Sequence, residues 1–298
     1  MDERYFSARM IWAGTWVIIG EGCDCYLLEG TDEAIVIDAG NSPHDIRAFA
    51  QSLTALPVRR VINTHAHFDH TGGNGFFDEI ITTRGVARGA KNTMGRLREA
   101  IRLDYDFTYV QDGDTIDLAG RPLTVVLLDC HSPEDIAILD TTRRLLFPGD
   151  EVEGGQVLLL PGYAEQPGQI HASPASSVET CLRAMEKLNA LRDKFDYICP
   201  AHNGTPIDPV YLDWYIQICR DILAGKEGNP DCSARTYSPS FNHFPNLNAN
   251  YRRYTLQGAS LVYCADLIFD SDYAKADTLK PATLLHIISA HSAYPVDN

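Results

Sequence analysis

The sequence predicts an α/β protein whose two halves, each a β-sheet with helices, stack as a sandwich. The first forty residues contain short runs of β-branched and aromatic residues separated by glycine-rich turns, which is typical of strands. Strands followed by a helix with an apolar stripe then occur twice along the chain. The 298 residues, 45% of them hydrophobic, are enough to bury a continuous core. Sheets and helices that are apolar on one face favour such stacked layers.

Strands are predicted in the first half wherever a β-branched or aromatic run lies between turn residues. These runs are 15–19, 23–28, 34–37, 60–63, 80–83, 115–118, 123–128, 136–139 and 144–147. One helix is expected after Asn41, with Ser42 as its N-cap and Pro43 in its first turn. A second helix is expected over residues 86–101. The first half is therefore predicted to be mostly strands.

The second half opens with a loop rich in Gly, Pro and Gln, residues 153–174. The motif Ser176-x-x-Glu179 is a capping box and predicts a helix, because an apolar stripe follows it. A strand at 197–199 and a helix at about 209–223 complete the regular part.

A change in composition near residue 227 divides the chain. Asn, Pro, Ser and aromatic residues become frequent there, and a strand pair is predicted at 253–256 and 260–263. We expect a domain at 1–226 and a C-terminal extension at 227–298 packed on it. Aromatic residues at 237–254 either line a pocket with the 153–174 loop or dock the extension on the core.

Charge and cysteine usage limit the partners and the compartment. The formal net charge of −15 repels phosphate backbones and anionic lipids, so neither nucleic acid nor membrane is an expected partner. The apolar stretch 10–19 is about half the roughly 20 residues that span a bilayer, and no cleavage site follows it. The eight cysteines form no C-x-x-C pair, which predicts buried thiols. We therefore expect a cytoplasmic protein.

The strongest chemical signal is the segment that runs from His65 to His70. Its three histidines and one aspartate fall within six residues, directly after a predicted strand. Imidazole and carboxylate groups are ligands of zinc, iron and manganese. His65 and His67 are two residues apart on an extended segment and can bind one ion, whereas Asp69 and His70 follow a turn and can face a second. The segment therefore predicts a metal site rather than a solvated loop.

Three further candidate ligands follow predicted strands. His131 comes after 123–128, Asp150 after 144–147 and His202 after 197–199. Each alone is more typical of a structural residue. Together with the first segment, they predict that all these side chains meet at one edge of the sandwich.

This ordered series of motifs resembles the metallo-β-lactamase-fold hydrolase superfamily. The series is H-x-H-x-D-H at 65–70, His131-Ser-Pro, Pro-Gly-Asp150 and Pro-Ala-His202-Asn-Gly, preceded by Asp38-x-Gly at a strand end. The resemblance covers roughly residues 10–225. It implies a four-layer αβ/βα sandwich of two mixed β-sheets with outer helices, with the metals at one edge of the sheets.

The resemblance also implies a role for each candidate ligand. It assigns the first ion to His65, His67 and His131, the second to Asp69, His70 and His202, and the bridging position to Asp150. Asp69 and Asp150 would be the catalytic residues, and the two divalent ions would most readily be zinc, with iron or manganese as alternatives. Asp38 would bond a ligand or a nearby loop, or simply form a turn.

The expected chemistry is hydrolysis of a small molecule. Two ions about 3.5–4 Å apart can share a hydroxide that is nucleophilic at neutral pH. The leaving group must receive a proton. The sequence leaves open whether a bound water or one of Tyr105, Tyr163 and His171 donates it. The resemblance permits a small ester, a thioester, a lactone or a phosphodiester, including a phosphorylcholine ester.

Individual residues favour some of these substrate classes and disfavour others. A β-lactamase is disfavoured because an export signal is missing and Asp150 matches a residue that true lactamases of this fold lack. A lactonase would carry Tyr where the chain has Glu153. Arg252 and Arg253 could serve a glutathione thioesterase or merely lie at a solvated strand edge.

A non-enzymatic alternative is a metal sensor or structural protein whose extension forms a homodimer interface. Seven ligands shared by two ions leave positions open for water, however, and structural zinc sites lack such positions. An enzyme is therefore the favoured interpretation.

Overall fold

A computed structural model describes residues 5–91, 102–159, 177–230, 251–265 and 267–272. Seven strands form a first sheet in chain order. They are β1 (Ser7–Trp12), β2 (Thr15–Ile19), β3 (Asp24–Glu29), β4 (Ala34–Ile37), β5 (Val58–Ile62), β6 (Glu79–Thr82) and β7 (Phe107–Tyr109). Strands β1 to β4 pair antiparallel, and β4 to β7 pair parallel. The parallel half brings the carboxyl ends of β4 to β7 to one edge of the sheet.

Three helices belong to this half. They are α1 (Ile46–Leu53) between β4 and β5, α2 (Phe68–Thr71) after β5, and α3 (Arg84–Ala90) after β6. Helix α1 buries Ile46, Phe49 and Ala50. These side chains join Val36 and Val61 of the sheet in one hydrophobic cluster, so α1 covers the outer face of the first sheet.

A second sheet and two helices form the other half. Its strands are β8 (Thr115–Asp117), β9 (Pro122–Leu128), β10 (Asp135–Asp140), β11 (Leu145–Phe147) and β13 (Tyr197–Ile198), in the order β13-β11-β10-β9-β8. Helices α4 (Val178–Asn189) and α5 (Val210–Leu223) bury Met185 and Tyr215 in a cluster with Val126 and Leu139 of this sheet. The two helices therefore cover the outer face of the second sheet.

The inner faces of the two sheets pack on each other. Ile35 and Ile62 of the first sheet share a cluster with Val125 and Ile138 of the second. Because neighbouring residues of a strand point to opposite faces, Ile35 faces the other sheet while Val36 faces α1. The layers run helix, sheet, sheet, helix, so the predicted αβ/βα sandwich is confirmed.

A small third sheet crosses the predicted domain boundary. It contains β12 (Val157–Leu158), β14 (Asn229–Pro230), β15 (Tyr251–Leu256) and β16 (Ala259–Cys264), in the order β12-β16-β15-β14. Strand β12 lies within 1–226 and pairs parallel with β16 of the 227–298 segment. The division at residue 227 stays a prediction.

Two predicted helix starts are wrong. The N-cap of α1 is Asp45, whose carboxylate accepts a hydrogen bond from Ala48 N at 2.9 Å, while Ser42 Oγ accepts one from His44 N in the preceding turn. The N-cap of α4 is Ser177, not Ser176, and its hydroxyl accepts from Thr180 N at 2.9 Å. Each segment contains two residues of good capping type, and local sequence preference does not distinguish between them.

Other differences concern short or exposed elements. Helix α3 spans Arg84–Ala90, and most of the helix predicted at 86–101 lies outside the described residues. Strand β1 was not predicted because it lies at the sheet edge and lacks a regular alternation of buried and exposed residues. Strands β7, β12 and β14 have only two or three residues and give no periodic signal.

The described residues contain no helix with the length and apolar character to cross a bilayer. Seven of the cysteines are buried there and form no disulfide, and Cys232 lies outside the described residues. The cytoplasmic location stays a prediction.

Candidate metal centre

Strand ends from both sheets meet at one edge of the sandwich. His65 follows β5, Asp150 follows β11, and His202 follows β13. His131 lies in the turn between β9 and β10. Chain turns of this kind expose side chains at the sheet edge, and here all four lie within a few ångströms of one another.

The carboxylate of Asp150 lies at the centre of four imidazoles. Its Oδ2 lies 3.7 Å from His65 Nε2, 3.6 Å from His131 Nε2 and 3.5 Å from His202 Nε2. Its Oδ1 lies 3.3 Å from His70 Nε2. This carboxylate therefore lies within 3.3–3.7 Å of all four imidazoles.

The ligand atoms fall into two groups around this carboxylate. One group is His65, His67, His131 and Asp150, and the other is Asp69, His70 and His202. A third cluster, Cys23, Asp38 and His70, shares His70 with the second group. Within the groups, His131 Nε2 lies 3.0 Å from His67 Nδ1, and Asp69 Oδ2 lies 3.4 Å from His202 Nε2. Two ligands bound about 2.0–2.1 Å from a tetrahedral ion are about 3.3 Å apart, so both spacings suit a zinc-sized cation. The structure thus brings all seven predicted residues together.

Buried polar atoms that lack a partner give an independent test of this fit. His65 Nε2, His70 Nε2 and Asp150 Oδ1 are inaccessible to solvent and meet hydrogen-bond geometry with none of the described residues. An unsatisfied buried polar atom costs roughly 1–3 kcal/mol. Three such atoms in the two groups around Asp150 are therefore suited to metal ligation.

Burial keeps the deeper histidines neutral, as ligands must be. It lowers the pKa of His65 well below its usual value and lowers that of His67 to about 3. For Asp150, burial alone would raise the pKa, but the neighbouring His202 and His70 lower it well below its usual value. Burial would lower the pKa of His70 as well, but the neighbouring Cys23, Asp150 and Asp38 raise it well above its usual value. The centre therefore presents neutral His65 and His67 on one side of an ionised carboxylate and the more basic His70 on the other.

The half-exposed side of the centre is formed by Asp69 and His202, whose side chains are 24% and 27% exposed. Burial would raise the pKa of Asp69, but the charge of His70 and a hydrogen bond from His202 hold it at about 2. Burial would lower the pKa of His202, but Asp150 and Asp69 raise it to about 9. These two side chains are therefore more exposed than His65, His70, His131 and Asp150.

Asp38, at the end of β4, contacts the segment that follows β5 and carries the first motif. Its carboxylate accepts bonds from the Thr64 backbone N–H and hydroxyl, each at 2.8 Å, and lies 2.8 Å from His70 Nδ1. Such a bond to the second imidazole nitrogen orients a ligand and directs Nε2 at the metal. Asp38 therefore acts on His70 and on the His65 loop, in addition to shaping the turn.

His131 is held by two contacts that the sequence did not indicate. Its Nδ1 lies 2.9 Å from the Leu158 carbonyl oxygen in β12, which leaves Nε2 directed at Asp150. The buried Glu151 carboxylate accepts hydrogen bonds from the backbone N–H groups of Cys130 and His131 at 2.9–3.1 Å. Its position next to Asp150 is the one sequence signal that could have found it.

The loop that carries His202 is fastened from both sides. The Tyr26 hydroxyl donates to the Pro200 carbonyl, and Asp24 N donates to the Ala201 carbonyl at 2.8 Å. Asn203 donates from Nδ2 to the buried carboxyl of Glu153.

The turn before Asp150 requires glycine. Gly149 has φ of 58°, and a Cβ there would lie 2.5 Å from Thr64 Oγ1.

The candidates for the leaving-group donor do not gain support. Tyr105 is buried and its hydroxyl donates to the Ala90 carbonyl, while Tyr163 and His171 lie outside the described residues.

The two arginines considered for binding glutathione have partners in the third sheet. Arg252 pairs with Glu227 at 2.7 Å, and Arg253 donates to Gln156 at 2.8 Å. Most of the two predicted pocket walls also lies outside the described residues.

Known proteins are similar to this chain in sequence. The sequence profile of the metallo-beta-lactamase superfamily matches residues 18–202, a range that contains all seven candidate ligands. The acyl-coenzyme A thioesterase MBLAC2 of Homo sapiens is 26% identical over 218 residues, covering 62% of this chain and 75% of the relative. The hydroxyacylglutathione hydrolase of Thermosynechococcus vestitus is 26% identical over 209 residues, covering 67% of this chain and 75% of the relative.

A solved structure supports the fold. The metallo-beta-lactamase from Pontibacter korlensis superposes with a TM-score of 0.56 at 16% identity, covering 72% of this chain and 99% of that one. At this identity the likeness shows the fold alone. The profile match over more than half of the chain and the His and Asp side chains at the sandwich edge lead to one conclusion: the chain belongs to the metallo-β-lactamase superfamily and is a metal-dependent hydrolase.

Proposed function

We propose that the protein is a dinuclear metallohydrolase that cleaves small thioesters. His65, His67 and His131 would hold one divalent ion, Asp69, His70 and His202 a second, and Asp150 both. Zinc is the ion we expect, because neutral imidazole and carboxylate ligands at these spacings suit it. When bound, the ions supply Lewis acidity and a water activated at neutral pH.

The observation that carries the dinuclear proposal is the position of Asp150 among four imidazoles. Both of its oxygens lie within 3.3–3.7 Å of histidine nitrogens that belong to the two different groups. A single ion would need only one of these groups. The arrangement therefore favours two ions that share one carboxylate.

The half-exposed residues Asp69 and His202 act on the substrate side. Asp69 directs Oδ2 at His70 and His202, so Oδ1 is the oxygen that can accept a hydrogen bond from the attacking water. Its pKa of about 2 keeps it ionised at neutral pH, which suits an acceptor. His202 faces the same opening and borders the space in which the scissile bond would lie.

The thioester class rests on the two kinds of named relative. One is named as an acyl-coenzyme A thioesterase and the other as a hydroxyacylglutathione hydrolase. Their substrates differ in the thiol and share a thioester bond. We therefore place thioesters ahead of the esters, lactones and phosphodiesters that the sequence left open.

The test compares metal-free and metal-loaded protein on matched substrates. We expect the protein treated with a chelator to lose turnover and to regain it with two equivalents of zinc per chain. A panel that presents the same acyl group as a thioester, an oxygen ester and a lactone, together with a phosphodiester, should show the highest kcat/KM for the thioester.

Three results would count against this function. Turnover that survives complete metal removal contradicts the metallohydrolase. Full restoration at one equivalent of metal, or a higher kcat/KM for another bond class, contradicts the dinuclear or the thioester part respectively.

A further inference from the structure

A group of basic and aromatic side chains lies beside the metal centre along the same sheet edge. Strands β5, β6 and β7 are parallel neighbours, so their carboxyl ends lie side by side. His65 follows β5, Arg84 begins α3 after β6, and Tyr109 ends β7. With strands about 4.8 Å apart, Arg84 and Tyr109 lie roughly one and two strand spacings from the start of the metal-binding segment.

Helix α3 is in direct contact with both loops that supply ligands to the first group. A Cβ placed on Gly89 would lie 2.8 Å from the Cβ of Ala66, which stands between His65 and His67. At the other end of α3, Gly85 N donates to the Glu134 carboxylate at 2.7 Å. Glu134 lies in the turn that carries His131, so α3 borders the centre along its length.

The side chains form a strip, which we define as Arg84, Lys91, Phe107 and Tyr109. The Arg84 guanidinium lies 4.2 Å from the centroid of the Tyr109 ring, and the Lys91 ammonium lies 5.4 Å from that of Phe107. The two rings stack with centroids 6.4 Å apart, and Tyr109 is 45% exposed. Cations over ring faces are preorganised for flat, anionic ligands.

Charge makes this strip unusual in its surroundings. Within the described ranges, no carboxylate lies within ion-pair distance of Arg84, although the chain carries a net charge of −15. An anionic substrate is repelled by the chain as a whole and needs local cations near the site. Arg84 and Lys91 are exposed and can supply them, and the Lys91 ammonium is held in place by a hydrogen bond to the Tyr105 carbonyl oxygen at 2.6 Å.

We propose that this strip binds the phosphorylated nucleoside end of a coenzyme A thioester. The inference rests on the thioesterase function proposed above and identifies coenzyme A as the thiol part of the substrate. The guanidinium of Arg84 can stack on a purine while Lys91 and Arg84 neutralise phosphates. Glutathione also carries negative charge, but it has no ring to stack, so the exposed guanidinium plane of Arg84 over Tyr109 favours the nucleotide.

The experiment compares three thioesters of one acyl group, on coenzyme A, on glutathione and on N-acetylcysteamine, which lacks the nucleotide. The variants are Arg84→Ala and Lys91→Ala, with Arg144→Ala as the matched control. Arg144 is an exposed arginine that pairs with Asp196 and precedes β11, at the opposite end of that strand from Asp150. Thermal unfolding verifies that each variant folds.

We expect Arg84→Ala to raise KM for the coenzyme A thioester about tenfold, as the loss of one charged contact predicts. The increase should be at least about fivefold larger than for the N-acetylcysteamine thioester. Lys91→Ala should act in the same direction, and Arg144→Ala should change none of the KM values. Binding of adenosine 3′,5′-bisphosphate should weaken in parallel, and more salt should weaken it further.

Each other outcome is informative. Equal KM increases for all three thioesters, or none, overturn the strip as a nucleotide site. An increase confined to the glutathione thioester replaces the nucleotide with the tripeptide and overturns it as well. If no thioester is hydrolysed, the proposed function fails by itself, and the inference then stands or falls on whether Arg84→Ala weakens bisphosphate binding.

Discussion

Asp150 is the single residue on which both halves of the centre depend. Asp150→Asn keeps the shape of the side chain and removes the charge that four imidazoles face. Loss of an outer contact to a metal ligand already costs about 10–100-fold, so loss of a shared ligand should cost more than about a hundredfold in kcat/KM. Metal analysis should show fewer than two ions per chain.

Asp196→Asn is the matched control for that substitution, because Asp196 forms only an exposed ion pair with Arg144. It should retain metal and turnover. Two tightly bound ions in Asp150→Asn would show that this carboxylate is not shared.

Glu151 shows how a residue outside the ligand set can control one. Its carboxylate binds the backbone N–H groups of Cys130 and His131, so Glu151→Ala leaves two buried donors without an acceptor. We expect metal affinity to fall about 10–100-fold and stability by about 1–3 kcal/mol for each donor, measured by metal titration and urea unfolding. Glu151→Gln retains an acceptor oxygen and should lie between wild type and Glu151→Ala. If Glu151→Ala kept the metal affinity of the wild type, the Cys130–His131 loop would not need Glu151 to keep its conformation.

The pKa of His202 predicts a pH dependence of metal binding. In the metal-free protein Asp150 and Asp69 raise it to about 9, so His202 is protonated at neutral pH and must lose that proton to bind. The apparent affinity should therefore rise with pH between 6 and 8, by about tenfold per unit for each proton displaced. In His202→Ala the slope should be shallower. An affinity independent of pH would exclude this competition.

At the scale of the element, the strands were predictable where hydrophobic and β-branched residues dominate. The predicted ranges 15–19 and 34–37 coincide with β2 and β4, which are largely buried. Strand β1 escaped detection because the open edge of a sheet imposes no pattern on its exposed residues. Element prediction is thus most accurate where the core constrains the sequence.

The N-cap of α1 gives a direct test at this scale. Asp45→Ala removes the acceptor for Ala48 N and should destabilise the protein by about 1 kcal/mol, as measured by urea unfolding. Asp45→Asn, a cap of similar strength, should cost only a few tenths of that. An equal loss in Asp45→Asn and Asp45→Ala would assign the effect to charge rather than to capping, because both variants lack the charge and only Asn keeps an acceptor.

At the scale of the molecule, the third sheet joins residues that lie far apart in sequence. Leu261 of β16 is fully buried in one hydrophobic cluster with Leu212 of α5 and Val126 of β9. We propose that the 227–298 segment stabilises the domain through this cluster. Leu261→Ala should then cost about 2–5 kcal/mol in a single unfolding transition.

Gln257→Asn, at the exposed hairpin turn with φ of 54°, serves as the control and should change stability by less than about 0.5 kcal/mol. If Leu261→Ala separates the unfolding of the hairpin from that of the sandwich, the 227–298 segment is an independent unit.

The sequence alone determined the identities of the seven candidate ligands and the layered α/β fold. Ligand chemistry depends on residue type, and the positions of these residues after strands follow from local patterns. Tertiary structure decided the rest: the central place of Asp150, the hydrogen bonds of Glu151 and Leu158 to the His131 loop, and the contact of Arg84 with Tyr109. These contacts join residues that are distant in the chain, and no local propensity encodes which strand ends become neighbours when the two sheets pack.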